Sequence, residues 1–315
     1  MRMFYVVVLA LFASPTAQAW QFTPRVETLA SGRAVTLAQG GTVCPESPAD
    51  TFTRQRMLNV AVAAWARFGY PVWDLSTPRT RTVPLGQGIE ILPAALNPKQ
   101  TGTLSRLLQT GIKEDEKELD IHIGSMWATT PDAAYVLNKQ NQIWGINTSA
   151  GWADAWSAAF TSWVMCEAGV KKSDFPRSSW HWEYVDHALA SKGYIYRAED
   201  ITSATLPAAG DLICADRAHD NIYTQLSDRK QGTGRALHCD IVVKTDTRNK
   251  KLYAIGGNVL DSVTMTVVGL ERVGKGKSAQ WRLERTTQRP WFAVLRLGAG
   301  GQNASLDKAM KEVKR

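Results

Sequence analysis

Asp154-Ala155-Trp156-Ser157-Ala158-Ala159-Phe160-Thr161-Ser162-Trp163-Val164-Met165-Cys166 is the stretch on which the reading of this chain turns. Small residues and aromatics alternate in it at helical spacing, and Gly169 follows as a stop, so the pattern predicts a tightly packed helix with a polar start. Ser157 falls in the first turn, where backbone N–H groups lack intrahelical acceptors and the helix dipole is positive. Folds keep nucleophiles and anion sites in that position, and serine is equally a good helix cap. Both readings stand at this point.

Upstream, Met57, Ala61, Ala64, Trp65 and Phe68 recur at three- and four-residue steps, with Arg54, Arg56, Asn59 and Arg67 off that face. Residues 53–68 therefore read as an amphipathic helix packed on a core, ended by Gly69 and Pro71. Between residues 71 and 150 the chain is broken by Pro78, Pro84, Pro93 and Pro98. Residues 104–112 read there as a short helix, Ile121-His122-Ile123 as a short strand and the charge run at 113–118 as a solvated face or a helix start. Downstream, residues 180–189 form a second helix that carries Trp180, His181 and Trp182 at its start. His181 and His187 are six residues apart, nearly opposite on a helix, and cannot share a metal. From Pro207 the pattern changes to strands: residues 210–215 are a turn leading into a buried strand, and further strands fall at 238–243, 251–258, 262–268, 281–285 and 291–297, with a hairpin turn at 246–250.

The 315 residues, 44% hydrophobic and 21% charged, can bury a sizeable core. Residues 1–19 combine Arg2, an apolar run and a small-x-small ending at Ala17-Gln18-Ala19, the pattern of a secretory signal peptide, so an exported mature chain is expected. The apolar run is too short for a permanent span and no later segment reaches the roughly 18 apolar residues a span requires. Residues 20–52 read as an extended arm, 53–298 as one domain with an insertion at about 71–150, and 299–315 as a flexible tail. The net charge of +8 suits an acidic partner; for an exported chain the available polyanions are cell-wall polymers and lipid head groups, and nucleic acid is not expected. Cys44, Cys166, Cys214 and Cys239 allow one or two disulfides, with three complete pairings open.

His238 heads one predicted strand, Asp240 shares its face, and Asn258 ends the next strand after Gly256 and Gly257. A nucleophile at a helix start, a base on a strand and a polar group that orients the base form the layout of papain-like catalysis. The segment 157–164 resembles the Cys-Ser-Gly-Phe-Val-x-Trp/Tyr-Val helix of the CHAP and NlpC-type cell-wall hydrolases. Residues 207–213 resemble their Pro-x-x-Gly-Asp motif, and Leu237-His238-Cys239-Asp240-Ile241-Val242 their histidine strand. More closely, Trp-Ser-Ala-Ala-Phe, His-Trp-x-Tyr, Gly-Asp-Leu-Ile-Cys-Ala, His-Cys-Asp-Ile-Val-Val and Ile-Gly-Gly-Asn-Val, in this order over about residues 53–298, resemble the bacterial domain-of-unknown-function family 2272.

The resemblance implies an α+β, papain-like fold, with N-terminal helices packed on an antiparallel sheet. It places Ser157 where the cell-wall cysteine peptidases carry Cys. A serine there needs His238 as a general base, oriented by Asn258 or Asp240. Cys166 faces away from Ser157 along the helix, and Cys239 alternates away from His238, so neither restores a thiol mechanism. The function expected is an exported peptidoglycan amidohydrolase or peptidase; the alternative is an inactive module that holds wall fragments or a partner protein. Trp156, Trp163, Trp180, His181 and Trp182 are the expected cleft residues. No cofactor or metal is expected, because no two His and an acidic residue lie at ligand spacing.

Overall fold

A computed structural model describes residues 44–47, 49–76 and 109–314, apart from 148, 191–193, 286–288 and 302, and describes residues 25–28, 34–37, 80–83 and 106–108 as backbone. The expected signal peptide at residues 1–19 lies outside the described residues. The chain is a mixed α+β protein whose described residues hold six α-helices and a ten-stranded, mostly antiparallel sheet.

Helix α1 (Thr53–Arg67) buries Met57, Ala61, Ala64 and Trp65, the stripe that the spacing predicts, and Leu58 and Val62 besides. It ends where Gly69 takes φ 78°, a left-handed conformation that glycine adopts without a Cβ clash. Arg54 departs from the expected solvent-facing set: it is buried and donates to Asp211 Oδ1 at 2.9 Å. Helices α2 (Asp120–Trp127), α3 (Ala133–Ile146), α4 (Ser157–Glu167) and α5 (His181–Ala190) follow, and α6 (Leu306–Val313) closes the chain.

Strands β1 (Arg25–Thr28) and β2 (Ala34–Leu37) form a separate antiparallel pair. The large sheet contains β3 (Val72–Asp74), β4 (Thr80–Val83), β5 (Arg106–Gln109), β6 (Tyr196–Asp200), β7 (Leu212–Asp216), β8 (Leu237–Asp246), β9 (Lys251–Gly256), β10 (Thr264–Val273), β11 (Gln280–Leu283) and β12 (Trp291–Leu297). Its order is β4-β5-β3-β10-β9-β8-β7-β12-β6, with β11 on β10. One face carries the main core, in which α1, α4 and α5 pack on Leu212, Cys239, Ile241, Ile255 and Met265. The opposite face carries a smaller core of Ile213, Ala215, Val242, Ala254, Leu283 and Trp291.

Three expectations are corrected here. Residues 106–109 are a strand rather than part of a helix, because they pair with both β3 and β4, partners remote from a local window. Residues 120–127 are a helix rather than a strand. The alternation at 121–123 is incidental, since Ile123, Met126 and Trp127 form the buried stripe while Ile121 is exposed. The tail carries α6, whose Ser305 side chain accepts from the Lys308 N–H at 3.3 Å and whose Ala309 is fully buried. Within residues 71–150, β3 lies in the main sheet, parallel to β10.

The disulfides are Cys44–Cys166 and Cys214–Cys239. The first straps the segment before α1 to the end of α4 across a sequence separation of 122. The second joins directly paired residues of β7 and β8. A Cys44→Ala/Cys166→Ala double variant is expected to lose roughly 3–5 kcal/mol of unfolding free energy, because so long a loop restricts the unfolded chain strongly. Chemical denaturation of oxidised wild type and variant measures this; a loss below about 1 kcal/mol would contradict a stabilising strap.

Candidate functional site

The site begins with the carboxylate that fixes the start of α4. Glu114 accepts hydrogen bonds from the Trp152 N–H at 3.0 Å, Trp156 Nε1 at 2.6 Å and Asn258 Nδ2 at 2.9 Å. Burial pushes its carboxyl above the ordinary range, against the opposing effect of the Trp156 bond. Trp156 is thereby locked as the residue before the helix, fully buried and stacked on Phe68 at 5.7 Å. Asn258 is held at φ 53°, and Leu260 and Asp261 also have positive φ, a strained turn tied down where the Glu114 N–H meets the Asp261 carbonyl at 2.8 Å.

Ser157 is the first residue of α4, is 6% exposed and lines a cavity of about 570 Å³. Ser179, Trp180, His181, Arg217 and Asn258 share that wall, with Asp132, Tyr135, Asp154 and Arg235 also lining it. Helix α5 is set beside α4 by the Tyr184 hydroxyl, which lies within hydrogen-bond reach of Ser162 Oγ at 2.6 Å, the Ala158 carbonyl at 2.9 Å and the Ser178 carbonyl at 2.8 Å. The turn at Ser178, whose Oγ accepts from the Trp180 N–H at 2.8 Å, then presents Trp180 and His181 to the cavity. His181 is almost fully buried, and neither of its ring nitrogens has a hydrogen-bond partner; Ser179 Oγ is buried and unpartnered as well. A buried polar group without a partner costs about 1–3 kcal/mol, so three such atoms on one cavity wall single that wall out as the candidate site.

Behind His181 lies His238, with ring centroids 5.2 Å apart. Within the His238–Asp240 pair Nε2 and Oδ1 are 2.6 Å apart. Burial pushes the His238 imidazole down to about 4, helped by the charge of Arg289 and opposed by Asp240. Burial alone would raise the Asp240 carboxyl, but the Arg289 charge and the hydrogen bond from His238 hold it below its ordinary range. The pair is therefore a neutral imidazole donating from Nε2 to a carboxylate, which leaves a lone pair on the unpartnered Nδ1. Arg289 Nη1 stands 3.8 Å from Asp240 Oδ2, and its guanidinium lies over Trp73 at 5.2 Å. Gly256 makes room for the pair: a Cβ there would sit 1.7 Å from Asp240 Oδ1.

The expected catalytic set is brought together only in part. His238 pairs with Ala215 and Asp240 with Ile213, both in the smaller core, so the two side chains point to the sheet face opposite α4. His238 does not line the cavity of Ser157, and no hydrogen bond joins Ser157 to either imidazole. Asp240, rather than Asn258, orients His238; the Asn258 amide is spent on Glu114 although the residue reaches the cavity. Of the expected cleft residues, Trp180 and His181 line the cavity. Trp156 is core, Trp163 packs edge-on to His122 at 5.2 Å, and Trp182 lies under Arg229 at 5.6 Å. Glu114, Ser179 and Arg217 are site residues that the sequence reading missed. A second cavity of about 500 Å³ opens on the opposite face, between Ile201, Val273, Leu283 and Trp291, and none of the expected site residues lines it.

The family model that matches the chain is DUF2272, "Uncharacterized protein conserved in bacteria", over residues 117–297, more than half of the length. The chain belongs to this family. No curated protein and no solved structure matches it. The DUF2272 region holds Ser157, His181, Arg217, His238, Asp240 and Asn258, whereas Glu114, α1 and α6 lie outside it. Among the described residues no group of three or more His, Cys, Asp or Glu is arranged to hold a metal, and no helix is long and apolar enough to cross a membrane.

The buried imidazoles make stability depend on pH. His181 is held well below 6.5 by burial and by its His238 neighbour, and His238 is held at about 4 against an ordinary 6.5. The unfolded chain binds protons first as pH falls, so this stability is complete above about 6.5 and is lost toward pH 4. His238 alone accounts for roughly 3 kcal/mol of that loss. Denaturant titrations at pH 7 and pH 4.5 are expected to show it; equal stability at the two values would contradict neutral buried imidazoles.

Proposed function

We propose that the chain is an exported hydrolase of amide bonds in cell-wall peptides, with a papain-like arrangement in which a serine takes the place of the usual thiol. The observation that carries this reading is the cavity that Ser157, at the start of α4, lines together with the buried unpaired imidazole of His181. Held well below 6.5, His181 is in its proton-accepting form at neutral pH. Ser157 Oγ attacks the substrate carbonyl as its proton passes to His181. The amine leaves with that proton, and water then hydrolyses the acyl-serine by the same route. The first-turn N–H groups of α4, which lack intrahelical acceptors, are the donors this reading assigns to the developing oxyanion. Two disulfides suit an oxidising compartment, and the net charge of +8 favours an anionic wall.

A binding module without turnover is the second reading, favoured by the missing hydrogen bond between Ser157 and either imidazole. Incubation of the protein with purified sacculi, followed by mass spectrometry of released muropeptides and peptides, separates the two. Wild type is expected to release fragments, and Ser157→Ala and His181→Ala to release them at least about 100-fold more slowly. Sacculus binding without release by wild type, or equal release by all three, would sink the hydrolase.

A further inference from the structure

We propose that the cavity is built to take the free carboxylate of a peptide, anchored by Arg217. Two arginines line it, and they differ in what they already hold. Arg235 is committed: Nη2 lies 2.6 Å from Asp216 Oδ2 and also donates to the Asp220 and Asn221 carbonyls, with the guanidinium 4.5 Å over Tyr223. Arg217 is exposed at the end of β7, and its guanidinium makes no hydrogen bond or ion pair among the described residues. A guanidinium presents paired N–H donors that match a carboxylate in two-point fashion.

The wall beside Arg217 offers further donors and little to repel an anion. His181 is buried with both ring nitrogens unpaired, and its neutral ring supplies one N–H. Ser179 Oγ is buried and unpaired, and the first turn of α4 adds backbone N–H groups and the positive end of its dipole. Of the two acidic residues that face the cavity, Asp154 is neutralised by Lys139 at 2.8 Å. Asp132 at the start of α3 is exposed and uncompensated. One lone cation and one lone anion therefore face the same cavity. They orient a peptide so that its carboxylate goes to Arg217 and not to Asp132.

This inference rests on the cell-wall reading only for the natural source of the carboxylate, and its test needs no turnover. Calorimetric titration of the purified protein with N-acetyl-D-alanyl-D-alanine and with its C-terminal amide is the measurement. The acid is expected to bind about 10-fold or more tightly than the amide. Arg217→Gln, a change at an exposed side chain, is expected to erase that preference, and Asp132→Asn to leave or enlarge it. Equal binding of acid and amide, no binding of either, or a preference that survives in Arg217→Gln would each overturn the proposal. Equal binding of acid and amide by a wild type that still releases sacculus fragments would overturn the anchor and spare the hydrolase; a clear preference in a wild type that releases nothing would do the opposite.

Discussion

A single half-buried carboxylate sets the geometry on which the site depends. Glu114 gathers the Trp152 N–H, the Trp156 indole and the Asn258 amide, and so draws the start of α4 and the end of β9 to one point. Each of those donors would cost about 1–3 kcal/mol if it stayed buried without an acceptor. The burden explains why a carboxylate is kept where desolvation pushes its proton affinity up. With Trp156 fixed, Ser157 can only open toward the cavity. The strained turn through Asn258, Leu260 and Asp261 is tolerated because the same contacts over-determine it.

The alternation of β8 then decides which imidazole faces that cavity. Odd residues of the strand meet the helices through Cys239 and Ile241, and even residues meet the smaller core through Val242. His238 and Asp240 belong to the even set. They form a buried neutral-imidazole and carboxylate pair behind the site, with Arg289 close by and Gly256 leaving the space. His181 arrives from a different element, the start of α5, and is the imidazole on the cavity side. The layout keeps three histidine nitrogens unpaired at the junction of two helices and a sheet, a cost that a purely structural core would be expected to shed.

Much of the fold was legible because it is written in local period. The stripe of α1, the small and aromatic spacing of α4 and the strands from β7 to β12 follow from patterns within each segment. What failed were segments whose partners are remote. Strand β5 owes its conformation to β3 and β4, and β6 hides a buried Tyr196 in a polar edge sequence. Alternation at 121–123 mimicked a strand within α2. At the site, Ser157, His181 and the His238–Asp240 pair were legible as residue types in motif positions. Strand parity needs the register to say which face is which, and it took His238 away from Ser157. Glu114 was hidden in a charge run, where nothing local distinguishes the one carboxylate that turns inward from its solvated neighbours. Four of the aromatic residues expected in the cleft were judged by type, and only Trp180 among the tryptophans reaches it.

The claim at the centre of this account is that Ser157 is a nucleophile served by His181. The most direct test is intact-protein mass spectrometry after exposure to a fluorophosphonate, with the adduct located by peptide mapping. The account predicts one phosphonyl adduct on Ser157 in the wild type and its loss in His181→Ala. No adduct at Ser157, or an adduct that forms equally fast without His181, would contradict it.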